Sequence, residues 1–231
     1  MDFLSQQGFT SAISRIGSQL GAESVDSGLV QSSLQEKSYS LVQTIEGLKH
    51  WIHRGRTKGI IAFDTETTSL DPSSADLVGF SLSIQPGEAC YVPLAHRACD
   101  LLTEDDSIVQ IPQKEAFSLL KLLLEDPSVL KIGQNIKYDI RVMARYGISI
   151  QPIDDTMLIS YSIDNGIFKH NLDDLSFNHL NHTTIKYKDL VGTGKNEITF
   201  DKVSIKDAVN YAAEDSLLTY KLFLNLYPRL I

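Results

Sequence analysis

The stretch IIAFDTETTSLD, residues 60–71, joins a continuous apolar run to two acidic residues. A short apolar run of this kind predicts a buried strand at the centre of a sheet. Successive side chains of a strand point to opposite faces, so Asp64 and Glu66 are predicted to project in the same direction. The sequence therefore predicts a pair of neighbouring carboxylates on a core strand.

Two further acidic motifs follow later in the chain, GQNIKYD at residues 133–139 and YAAEDSLLTY at residues 211–220. The second has apolar residues at helical spacing, so Tyr211 and Asp215, four residues apart, share one face of the helix. Asp139 follows a predicted turn from a strand into a helix, with Asn135 near the helix cap. One strand and two helices are thus predicted to bring four carboxylates and a phenol to one pocket.

Four carboxylates at close range repel one another, and hard divalent cations turn that repulsion into attraction. Two Mg²⁺ or Mn²⁺ ions, with Zn²⁺ as an open alternative, would stabilise the attacking and leaving oxygens of a phosphodiester cleavage. The hydroxyl of Tyr211, hydrogen-bonded with Glu66, is predicted to orient the attacking water more than to remove its proton. The pattern predicts a metal-dependent nuclease.

The three motifs resemble those of the DEDD superfamily of 3′-to-5′ exonucleases, in its tyrosine subgroup. From about residue 38 to the end, the chain is similar to the proofreading domain of bacterial family A DNA polymerases. The segments that carry this similarity, in chain order, are FDTETTSLD, VLKIGQNIKYD, DDTML, GTGKNEITF and YAAED.

The resemblance implies roles for individual residues. The metal ligands of the family fall on Asp64, Glu66, Asp139 and Asp215, and its water-positioning tyrosine falls on Tyr211. Contacts to the terminal nucleotides of single-stranded or frayed DNA 3′ ends are implied for five further residues: Leu70, Asn135, Tyr138, Lys169 and Tyr187. Lys169 stands where related proteins commonly carry Arg, so a bidentate phosphate contact would become a point-charge contact.

Chain organisation is predicted to be simple, with a tail and linker at residues 1–37 and an exonuclease domain at residues 38–231. A short strand and a helix through Trp51 come first. Further strands are predicted near 59–65, 76–84, 88–94 and 129–133, and helices near 112–125, 136–146, 155–163, 171–180 and 204–226. This order favours an α/β fold, a ribonuclease-H-like mixed sheet flanked by helices. Glu214, beside Asp215, is expected to face solvent.

Composition sets limits on location and partners. The 231 residues are 42% hydrophobic, with two cysteines and a net charge of −8. No apolar run is long enough for a membrane span, and no secretory signal is evident, so the chain is predicted to be cytoplasmic and nucleoid-associated through DNA. The acidic balance predicts modest DNA affinity without a partner. The resemblance implies an attached polymerase domain as that partner, and the composition predicts a monomer.

Two alternatives stay open at this point. An RNA-trimming enzyme of the RNase D type shares the metal site and the tyrosine but not the NIKYD and GTGKNEITF stretches. A module that binds DNA ends or separates neighbouring domains would need no catalysis.

Overall fold

The computed structural model describes residues 38–97, 108–164, 166, 169–194 and 197–230. The predicted tail and linker at residues 1–37 lie outside this part of the chain. The elements occur in the order β1 Ser38–Leu41, α1 Ile45–Lys58, β2 Ile60–Thr67, β3 Leu77–Gln85, β4 Glu88–Pro93, α2 Gln113–Leu124, β5 Leu130–Gly133, α3 Lys137–Ala144, β6 Ile153–Asp155, α4 Thr156–Asp164, α5 Leu172–Leu180, α6 Tyr187–Val191 and α7 Ile205–Leu226.

The strands form one six-stranded mixed sheet in the order β1-β4-β3-β2-β5-β6. Strand β3 pairs antiparallel with both β2 and β4, whereas β2, β5 and β6 run parallel to one another. Strand β2 therefore lies inside the sheet, as its continuous apolar run predicts. The predicted mixed sheet flanked by helices is confirmed.

Helices cover both faces of the sheet. Ile61 and Phe63 of β2 belong to a buried cluster with Leu48 and Trp51 of α1 and with Leu120 of α2. On the opposite face, α7 packs against β3 and β4 through a second buried cluster. Asp64 and Glu66 alternate with Ile61 and Phe63 along β2. Their side chains therefore face the side of the sheet on which α7 lies.

The predicted boundaries agree with the structure to within a few residues for most elements. Three elements differ: helix α1, strand β6 and the five-residue helix α6, which was not predicted and begins at Tyr187. Helix α1 continues past Trp51 to Lys58, where Gly59 ends it with φ 72°. The three-residue strand β6 was not predicted, because three residues are too few to show a period of two. None of the helices within the described residues is long and apolar enough to cross a membrane.

Candidate active site

Three of the four predicted carboxylates meet between β2 and α7. Asp64, Glu66 and Asp215 each place one oxygen within 4.8 Å of the others. Among the described residues, Glu66 Oε1 is buried and has no hydrogen-bond partner. A buried carboxylate oxygen without a donor is costly, so this arrangement has the donor set and the unmet charge that a hard divalent cation would satisfy.

Asp139, the fourth carboxylate, lies beside this group. It sits in the first turn of α3 and is 2% exposed. Its Oδ1 accepts hydrogen bonds from the Thr65 hydroxyl at 2.5 Å and from the Thr65 backbone amide at 3.0 Å. Thr65 stands between Asp64 and Glu66 on β2, so the middle residue of this motif holds α3 next to the cluster.

Burial and mutual repulsion disfavour the charged forms of these carboxylates. Burial, followed by the charge of Asp215, raises the pKa of Asp64 well above its usual value. Burial, with the nearby carboxylates as a lesser cause, also raises the pKa of Glu66 strongly. The pKa of Asp215 is raised to about 8, chiefly by burial. A cation bound here would reverse these shifts, since opposite charge favours the ionised form.

Tyr211 lies one helical turn before Asp215 and its hydroxyl is hydrogen-bonded to that carboxylate. The expected partner of the Tyr211 hydroxyl was Glu66. Asp215 takes this place because Tyr211 and Asp215 lie one turn apart on the same face of α7. Burial, and then the charges of Asp215, Glu66 and Asp64, raise the pKa of Tyr211 above its usual value. The phenol therefore stays protonated at neutral pH and can donate a hydrogen bond.

A cavity of about 360 Å³ opens at the carboxylates. Its walls contain three of the residues implied in substrate contact: Leu70, Tyr138 and Tyr187. The remaining lining comes from the site carboxylates, Tyr211 and the β2 end: Asp64, Thr65, Glu66, Thr67, Ser69, Tyr211 and Asp215.

The three substrate-contact candidates in the cavity differ in how they are held. Leu70 is 92% exposed, which leaves its side chain free to meet a ligand. The Tyr138 hydroxyl lies 2.5 Å from Thr67 Oγ1 and donates to the Ser69 carbonyl at 2.5 Å. Tyr187 is 40% exposed at the cavity edge. Leu70 is therefore open to solvent, whereas Tyr138 is held by hydrogen bonds.

Two predicted substrate residues lie outside the cavity lining. Lys169 is exposed and directly precedes buried His170. Asn135 adopts a left-handed conformation with φ 60° and does not cap α3. Asn135 directly precedes Ile136, the N-cap residue of α3, so the prediction that it lies near the helix cap is confirmed. Asp155, at the end of β6, accepts hydrogen bonds from the Asn135 and Ile136 amides.

Sequence reasoning missed several residues that build the site. Thr65, Thr67 and Ser69 hold Asp139 and Tyr138, and only their place in the strand motif could have pointed to them. Glu214, expected at the surface, is 4% exposed, so that expectation is wrong. The segment that covers Glu214 is more than 25 residues away in sequence, beyond the reach of local patterns.

Comparison with known proteins gives a consistent result. A family model described as 3′-5′ exonuclease matches residues 39–231. DNA polymerase I of Rhizobium leguminosarum is 48% identical over 204 residues, covering 84% of this chain and 20% of that protein. DNA polymerase I of Pseudomonas aeruginosa is 38% identical over 212 residues, covering 90% of this chain and 23% of that protein. The chain thus spans about a fifth of the length of these curated relatives.

Among solved structures, Escherichia coli RNase D, an exoribonuclease involved in structured RNA processing, aligns with a TM-score of 0.61. The sequence identity is 18%, and the alignment covers 83% of this chain and 45% of that one. At this identity the likeness concerns the fold, which is the predicted ribonuclease-H-like fold.

Proposed function

The chain belongs to the 3′-5′ exonuclease family, as the corresponding domain of DNA polymerase I, and from this membership we propose that it is a two-metal 3′-5′ exodeoxyribonuclease that releases nucleoside 5′-monophosphates. In the full-length protein it would serve as the proofreading module beside a polymerase domain. Its substrates would be single-stranded or frayed DNA 3′ ends. The cytoplasmic, nucleoid-associated location and the monomeric state stay predictions.

The observation that carries the proposal is the unpartnered Glu66 Oε1 inside the three-carboxylate cluster. Asp64, Glu66 and Asp215 would hold one divalent cation directly, and Asp139 would take part beside Asp64. Bound Mg²⁺ or Mn²⁺ would supply charge stabilisation for the attacking and leaving oxygens and a more acidic water. The donor set is all oxygen, which suits these ions better than softer metals.

Tyr211 is the residue that would contact the attacking water. Its hydroxyl is already oriented by Asp215, and its raised pKa keeps the proton on the oxygen. A protonated phenol can hold a water by hydrogen bonding but is a poor proton acceptor at neutral pH. We therefore assign Tyr211 to positioning the water.

The cavity walls suit an unpaired strand end. Aromatic stacking contributes about 1–3 kcal/mol per base and tolerates any base, as removal of arbitrary mismatched nucleotides requires. Tyr138 and Tyr187 would supply flat surfaces and Leu70 an apolar tip at the terminal base. Lys169 and Asn135 would contact the phosphodiester chain only if it passes outside the cavity lining.

RNA is the alternative substrate, because the fold is shared with an exoribonuclease. The decisive test compares initial rates on a single-stranded DNA and an RNA of the same sequence, with wild type, Asp139→Ala and the exposed-carboxylate control Glu115→Gln. We expect faster cleavage of DNA, loss of at least about 1,000-fold in Asp139→Ala and no change in Glu115→Gln.

Three results would overturn parts of the proposal. Faster trimming of RNA would assign the chain to the RNase D type of activity. Near-normal degradation by a folded Asp139→Ala protein would remove the metal-site assignment. Binding of DNA ends without any degradation by the wild type would favour a non-catalytic module.

A further inference from the structure

Glu214 is a buried carboxylate that the proposed chemistry does not use. It directly precedes Asp215 in α7, and neighbouring residues of a helix point about 100° apart. Its Oε1 lies 2.8 Å from His182 Nε2, and its Oε2 accepts a hydrogen bond from the Ile185 amide at 2.7 Å. Both partners belong to residues 181–186, the connecting segment between α5 and α6.

A second carboxylate contacts the same connecting segment. Asp173 of α5 accepts a hydrogen bond from the Thr184 hydroxyl and forms a 2.7 Å ion pair with Lys186 Nζ. The connecting segment contains no helix or strand of its own. Its path therefore depends on side-chain anchors, of which Glu214 is the more buried and Asp173 the more exposed.

The connecting segment leads directly into Tyr187, the first residue of α6 and part of the cavity wall. The Tyr187 ring stacks on Phe200 with centroids 6.3 Å apart and planes 8° apart. It also meets Tyr211 edge-on at 6.0 Å. Helix α7 thus carries Asp215, Tyr211 and the residue that anchors the approach to Tyr187.

We propose that Glu214 is a positioning residue for the DNA strand end, acting through the connecting segment on Tyr187. By tying that segment to α7, Glu214 fixes the stacking wall relative to the carboxylates on the same helix. It contributes to substrate binding and takes no part in the cleavage step. This inference rests on the proposed exonuclease function.

Steady-state kinetics test whether Glu214 contributes to substrate binding and not to cleavage. The variants are Glu214→Ala and Glu214→Gln, and Glu46→Gln on the exposed side of α1 is the control. We expect Glu214→Ala to raise KM for single-stranded DNA about tenfold with kcat within about threefold. Glu214→Gln keeps the shape and an acceptor for the Ile185 amide, so its KM should stay near that of wild type. Mn²⁺ affinity without DNA should be unchanged in both variants.

A double-mutant cycle with Tyr187→Ala separates positioning from a general structural role. If Glu214 acts through Tyr187, Glu214→Ala should add no more than about twofold to KM in the Tyr187→Ala background. Hydrogen exchange of peptides spanning 181–187 should speed up in Glu214→Ala while exchange in α1 and α2 stays unchanged. This last readout needs no activity.

Fully additive KM effects, or loss of Mn²⁺ affinity together with kcat, would overturn the inference, because Glu214 would then act elsewhere or on the metal site. An unchanged exchange rate at 181–187 would overturn it as well. Failure of the proposed function is distinguishable, since it would show as a wild-type protein that does not degrade DNA at all.

Discussion

Thr65 and Asp139 are joined by two hydrogen bonds, one from the Thr65 hydroxyl at 2.5 Å and one from its backbone amide at 3.0 Å, both to Asp139 Oδ1. These bonds tie strand β2 to helix α3 at the point where the carboxylates gather. They also offset part of the burial cost that raises the pKa of Asp139, because hydrogen bonds to an ionised oxygen favour the charged form.

Thr65→Val should therefore lower activity and metal affinity while preserving the shape of the side chain. The substitution removes the hydroxyl donor and keeps the amide donor, and a hydrogen bond to a charged group contributes about 1.5–3 kcal/mol. We expect kcat to fall about tenfold and the Mn²⁺ concentration for half-maximal activity to rise. Thr57→Val, which removes an exposed hydroxyl bond on α1, is the matched control. Equal kcat values in the two variants would show that the Thr65 hydroxyl does not support Asp139.

Asp215→Asn should stabilise the metal-free protein while abolishing activity. The folded-state pKa of Asp215, about 8, lies above the unfolded value, so the folded protein binds more protons and loses stability as pH rises from about 4 to 8. Replacing the carboxylate removes this loss. In EDTA at pH 8 we expect a melting temperature several degrees above wild type, since about 1 kcal/mol corresponds to about 2–4 °C at this size.

The same linkage predicts how metal acts on wild type. Mn²⁺ should raise the melting temperature more at pH 8 than at pH 5.5, because protons compete with the cation for the carboxylates at the lower pH. Asp215→Asn should lose most of this gain. A wild-type gain that is equal at both pH values, or a less stable Asp215→Asn protein in EDTA, would contradict the interpretation that burial raises the pKa of Asp215 and destabilises its charged form.

Tyr211→Phe should lower kcat without weakening metal binding, because the ring and all four carboxylates remain. We expect a loss of about 10- to 100-fold, at or below the low end of general acid–base effects. Tyr220→Phe on the same helix is the control. An unmeasurable rate with intact Mn²⁺ affinity would show that the phenol's own proton is essential. Weaker Mn²⁺ binding would show that the phenol supports Asp215 as a ligand.

Leu70→Ala should weaken the binding of frayed substrate ends and leave the stability of the fold unchanged. The side chain is 92% exposed, so its removal costs almost no burial in the free protein. We expect an unchanged melting temperature and weaker retention of frayed ends, measured as slower removal of a mismatched terminal nucleotide from a primer–template. Leu122→Ala, an exposed leucine on α2, should change neither quantity. A destabilised Leu70→Ala protein would indicate a packing role instead.

Much of the fold and of the carboxylate cluster could be predicted because both follow from local periodicity. Alternation along β2 places Asp64 and Glu66 on one face, and helical spacing pairs Tyr211 with Asp215. The apolar run at residues 60–63 is long enough to identify an interior strand. These features need no knowledge of distant contacts.

The remaining features depend on contacts between segments far apart in sequence. Asn135 takes its left-handed conformation where Asp155, 20 residues later, accepts its amide hydrogen. Glu214 is buried because the connecting segment at 181–186 passes over it, whereas a charged residue beside a site residue is usually solvated. Neither contact leaves a periodic signal in the sequence.

Degradation of a 5′-labelled single-stranded DNA on a sequencing gel, with Mg²⁺, with Mn²⁺ and with EDTA, tests the proposed activity most directly. We predict a ladder that shortens from the 3′ end with either metal and disappears in EDTA. A folded protein that yields no ladder with either metal, or one whose ladder persists undiminished in EDTA, would contradict a metal-dependent 3′-5′ exonuclease.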